Sequence, residues 1–115
     1  MFEIDDVVSK IIEEFHRKVP FDPQKRNIVA GIIRETPDEI SRISSDFKTH
    51  EIDKVVTNEN DFLLGSVISF IYYKFLHLCV LEAYRITHEE IPVFQSQLFS
   101  NGPKLMELII KVTGK

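Results

Sequence analysis

The stretch DFLLGSVISFIYYKFLHLCVLEAYRI, residues 61–86, decides the fold. It holds no proline and is far too long for a buried strand, so it predicts one helix of roughly 39 Å at 1.5 Å per residue. One seam along it, Gly65, Ser69, Tyr72, Leu76, Cys79, Ala83 and Ile86, keeps four-three spacing. A second carries Leu64, Ile68, Ile71, Phe75 and Leu78, and a third Leu63, Val67, Phe70, Leu81 and Tyr84, interrupted by Lys74 and His77. A helix apolar nearly all round must be covered nearly all round, by its own domain, by a second copy or by lipid.

The flanking segments are amphipathic helices. Toward the N-terminus, Ile4, Val8, Ile11, Phe15 and Val19 recur every three or four residues and form one apolar stripe. Its polar side offers the acid-before-base pairs Asp6/Lys10, Glu13/Arg17 and Glu14/Lys18. Asp22-Pro23 reads as an N-cap followed by proline at the first helical position, opening a second helix with Ile28, Val29, Ile32 and Ile33. Thr36-Pro37-Asp38-Glu39 repeats the device as a capping box, so a third helix is expected from there to about Lys48. Ile52, Val55 and Val56 suggest one short turn. Beyond residue 86, Thr87-His88-Glu89-Glu90 is a further capping box, with Pro92 allowing the start to slip to Ile91, and Asn101-Gly102-Pro103 separates two last helices.

Composition agrees with a globular domain. The chain has 115 residues, 43% apolar and 28% charged, and a formal net charge of -4. That balance gives no bulk attraction to nucleic acid or anionic lipid. A single cysteine, Cys79, precludes an internal disulfide, and a reducing cytoplasm is the expected compartment. The acidic start, Met1-Phe2-Glu3-Ile4-Asp5-Asp6, lacks the features of a secretion signal and reads as the beginning of the domain.

Candidate chemistry is sparse. Glu13-x-x-His16 has the spacing of a di-iron carboxylate motif, but such sites need it twice, and a solvated surface pair is the simpler reading. Lys74, His77 and Arg85 share one face of the expected long helix, where they form either a small anion-binding site near Tyr84 or simply the wet side of that helix. Cys79 lies mid-helix among apolar residues, where thiols are inert. Glycine-rich phosphate loops and His-Glu-x-x-His zinc sequences are absent. Residues 62–81 reach the length of a membrane span, but Lys74 and His77 fall inside that window and argue against insertion.

Residues 27–48 resemble the helix-turn-helix of transcription regulators, with Ala30, Ile33, Ile40 and Ile43 at its packing positions. The resemblance implies that Ser41, Arg42, Ser44, Ser45 and Lys48 face the major groove. Arg34 stands at the usual turn glycine, and Asp38, Glu39 and Asp46 bring negative charge toward phosphates.

The chain is therefore expected to be one all-α domain over residues 1–115, a compact bundle of about five to six helices around the apolar helix at about 61–86. By elimination, its expected role is that of a non-enzymatic protein-interaction module without cofactor or metal, an adaptor, regulatory subunit or inhibitor-type protein. A homodimer would form along Gly65, Ser69, Tyr72, Leu76, Cys79 and Ala83. DNA binding through residues 22–48 is the alternative.

Overall fold

The computed structural model describes residues 2–114, so of the domain expected over 1–115 only Met1 and Lys115 lie outside the described residues. The first helix, α1 (Phe2–Lys18), forms on the expected stripe, burying Val7, Val8, Ile11, Ile12 and Phe15. On its solvent side Arg17 pairs with Glu14 rather than with Glu13. The chain then turns sharply: the Phe21 N–H donates to the Val19 carbonyl at 2.8 Å. Asp22 caps the next helix by accepting from the Lys25 N–H at 2.9 Å, with Pro23 at the first position.

That next helix, α2 (Pro23–Thr49), corrects the reading of residues 22–48 as two helices joined by a turn. It runs unbroken for 27 residues with Pro37 inside it. The Thr36 hydroxyl does not cap residue 39; it donates backward to the Ile32 carbonyl at 2.9 Å, and Thr36 is fully buried. Proline within a helix costs about 3 kcal/mol, because it removes one hydrogen bond and crowds the carbonyl four residues earlier. Burying Ile40 and Phe47 beyond it returns about 1.5–3 kcal/mol each. The helix continues because positions 29, 33, 36, 40, 43 and 47 keep four-three spacing straight through Pro37, and breaking there would turn Ile40 and Phe47 off the core.

A left-handed Glu51 (φ 57°) ends α2, and residues Ile52–Lys54 make the expected short turn as a 3-10 helix. The long apolar helix, α3 (Glu59–Leu81), starts two residues earlier than expected, where the Asn58 side chain accepts from the Asp61 N–H at 3.0 Å. It also ends five residues earlier. The Tyr84 N–H reaches the Cys79 carbonyl at 2.8 Å and the Ala83 N–H reaches Val80 at 3.1 Å, the closure of a Schellman motif, with Ala83 left-handed at φ 59°. Tyr84 and Ile86 fold back against the core. Two short helices follow, α4 (Glu90–Ser100) and α5 (Gly102–Thr113). The Thr87/Glu90 capping box forms in both directions, at 2.8 and 3.2 Å.

Five α-helices, and no strand among the described residues, thus surround one hydrophobic cluster, in a body of 41 × 28 × 21 Å. The broadest contact is α2 along α3; α5 packs against α1, α2 and α3, and α4 against α1 and α3. At the centre Phe94 lies 4.6 Å from Phe75, 5.5 Å from Phe15 and 5.6 Å from Phe21, ring centre to ring centre. Tilted aromatic pairs of this kind add about 0.5–1.5 kcal/mol each beyond the area they bury.

Candidate functional site

Four rows of side chains, each stepping by four residues, run along α3. The inner row, Leu63, Val67, Ile71, Phe75 and Cys79, is fully buried. One flank, Phe62, Ser66, Phe70, Lys74 and Leu78, is half-buried. It meets α2, where Phe62 packs on Phe47 at 5.3 Å and Lys74 binds Glu35 at 2.6 Å. The other flank, Leu64, Ile68, Tyr72 and Leu76, is also half-buried, and Tyr72 stacks over Phe94 of α4. The outer row, Asp61, Gly65, Ser69, Tyr73, His77 and Leu81, is exposed throughout. Tyr73 keeps 65% of its surface in solvent, Leu81 65%, and Val80 at the end of the apolar flank 74%.

Between α2 and α3 the outer row opens into a broad, shallow groove of about 790 Å³. Gly65, Ser66 and Ser69 form its floor, Ile43, Phe62 and Phe70 its apolar walls, and Glu39, Arg42 and Asp61 its charged rim. A Cβ added at Gly65 would meet nothing within 4 Å, so the floor there is open.

Of the seam expected for a partner, Gly65 and Ser69 stand exposed, Tyr72 and Leu76 are half-buried, Cys79 is sealed inside, and Ala83 lies beyond the helix end. The cause is geometric. The core-facing row steps by four residues, so exposure follows four-residue rows too, and a four-three seam crosses from outside to inside. The residues missed by that spacing are Tyr73 and Val80; their signal was the register of the inner row.

The cationic face does not assemble. Lys74 is tied to Glu35 and lies 5.3 Å over the Phe70 ring, His77 is exposed on the outer row, and Arg85 follows the Schellman turn outside α3. Nor does the arrangement expected for a DNA-reading helix: Arg42 is held by Glu39 and Asp46 on its own helix. Ser41, Ser44, Ser45 and Lys48 line a groove shared with Val112 and Thr113 of α5. Glu13 is exposed, while His16 Nε2 lies 3.4 Å from the Arg26 carbonyl oxygen.

One polar cluster was not anticipated. Lys25 is buried, and its ammonium donates to both carboxylate oxygens of Glu90 at 2.9 and 3.0 Å, with Asp22 at 3.9 Å and the Phe21 ring at 5.9 Å. Burial pushes the Glu90 carboxyl upward, but the Thr87 N–H and Lys25 outweigh it and hold the group below the ordinary carboxylate range. Burial also pushes the nearby Cys79 thiol up to about 11, leaving it protonated and unreactive at neutral pH. Lys25 stands four residues before Val29 and eight before Ile33, in phase with the buried side of α2, and that phase was the available signal. The pair clips the start of α4 to the start of α2.

Beside the charged-rimmed groove, the open side of α3 thus carries Tyr73 and Leu81 among Asp61, Gly65, Ser69 and His77. The chain matches no family model, no curated protein and no solved structure.

Proposed function

We propose that this chain is a non-enzymatic, cytoplasmic interaction module that self-associates through the outer side of α3, in the manner of an adaptor, regulatory subunit or inhibitor-type protein. One observation carries the reading: a helix apolar on nearly every side is sealed along one row of four, leaving Tyr73, Val80 and Leu81 largely in solvent. By length and composition α3 would also suit a membrane. Asp61, Ser69 and His77 on its open row, and Lys74 bound to Glu35, favour a protein surface over hydrocarbon. Two groups with chemical potential are engaged within the fold, Cys79 in the core and Lys25 with Glu90.

Sedimentation velocity across a wide concentration range, without detergent, tests this. A reversible or stable dimer is expected. A monomer at every concentration would remove self-association, and a monomer that floats with lipid vesicles would assign the open side of α3 to a membrane surface.

A further inference from the structure

We infer that two copies pack α3 on α3 antiparallel, about a two-fold axis at Ser69, so that Tyr73 of each protomer seats over Gly65 of the other. This rests on the self-association proposed above and adds its register. Gly65 and Tyr73 lie on one exposed row, each four residues from Ser69 in opposite directions. A two-fold axis perpendicular to the helix at Ser69 therefore brings position 65 of one copy opposite position 73 of the other.

The two positions are complementary in shape. Gly65 is the open floor of the 790 Å³ groove, and Tyr73 is a bulky ring projecting into solvent. The Tyr73 ring is held edge-on against Tyr72 at 5.1 Å and 77°, and Tyr72 is itself stacked on Phe94, so little ordering remains to be done on association. In the groove the ring meets the apolar walls Phe62, Phe70 and Ile43 while its hydroxyl faces the charged rim. Small side chains at 65 and 69 let the backbones approach to about 8 Å, the near end of helix packing distances.

Charge selects the direction. The outer row begins with Asp61 and its later half carries His77, each eight residues from Ser69 in opposite directions. Antiparallel packing about that axis sets Asp61 of each helix opposite His77 of the other and opposes the two helix dipoles. A parallel pair would set Asp61 beside Asp61. The same row is thus both knob and hole, and both acid and base, which identifies a second copy as its occupant.

Cysteine cross-linking under a mild oxidant tests the register, with the buried Cys79 left in place as a silent thiol. Ser69→Cys, on the axis, is expected to give a covalent dimer. Gly65→Cys and Tyr73→Cys are each expected to stay uncrosslinked alone and to form a disulfide when mixed, because only the mixture brings the two thiols within the 4.4–6.8 Å Cα separation that a disulfide spans. Tyr73→Ser is expected to weaken the dimer at least tenfold in sedimentation. All three positions are exposed, and unchanged helical circular dichroism and melting would show that the variants fold. Gly65→Cys linking to itself would mean a parallel pair, and a native dimer without any of these links would place the interface elsewhere; either overturns the register while self-association stands. A native protein that stays monomeric overturns both.

Discussion

The inner and outer rows of α3 belong to the same 23 residues and lie on opposite sides of one helix, yet they have opposite fates. Leu63, Val67, Ile71, Phe75 and Cys79 are closed off by the chain's own helices, while Gly65, Ser69, Tyr73 and His77 face solvent. Hydropathy does not separate buried from open positions cleanly, since Val80 and Leu81 are as apolar as the buried Val67 and Leu63 and still lie outside. Apolarity on every side states that a helix needs cover; the number and placement of neighbouring helices determine how much of that cover the chain supplies itself.

The sharpest way to break the comparison is to truncate one aromatic on each side. Phe75→Ala removes a ring packed against Phe21 and Phe94 and is expected to cost about 3–5 kcal/mol in urea unfolding. Tyr73→Ala, measured where the protein is monomeric, is expected to change stability by about 0.5 kcal/mol or less. Equal losses would mean that the outer row is as much a part of the folded monomer as the inner one.

At the Cys79 end of the inner row, Glu90→Ala leaves the Lys25 ammonium buried without its partner, an expected loss of about 3 kcal/mol. Replacing both, as Lys25→Met with Glu90→Leu, is expected to recover most of it. Because the Glu90 carboxyl is held below its usual value in the fold, its contribution is complete above the ordinary carboxylate pKa of about 4.3 and is lost as pH falls through the lower folded value. Urea midpoints of the native protein should therefore fall on acidification from pH 6 to 3, and those of Glu90→Gln should fall less steeply over the same range.

A smaller gain in stability sharpens where α3 stops. Ala83 holds a left-handed conformation that favours glycine, so Ala83→Gly is expected to stabilise the fold by about 1 kcal/mol in thermal or urea unfolding. A destabilised variant would mean that the Ala83 methyl contributes packing that outweighs the backbone strain.

Much of the fold was legible because its signals are local. Asp22-Pro23, Thr87-x-x-Glu90 and Asn101-Gly102-Pro103 mark helix boundaries through hydrogen bonds that neighbouring residues make among themselves, and all three stand where they were read. The Thr36-Pro37 signal was misleading for the same reason: its chemistry is local, whereas α2 is held together across it by burial of Ile33, Ile40 and Phe47. The candidate site was half legible. Gly65 and Ser69 stand on the four-three seam, whereas Tyr73 and Val80 lie off it, because the packed row of α3 steps by four.

The sequence by itself determined that this protein is all-helical, where most of its helices begin, and that one helix is too apolar to stand alone, because turn chemistry and side-chain periodicity act over a few residues. Tertiary structure alone decided that α2 passes through Pro37, that α3 closes at Ala83 without a glycine, that Lys25 finds Glu90 65 residues away, and which row of α3 stays open. Those outcomes depend on the shape and area of surfaces brought together from distant segments, which no short window of residues specifies.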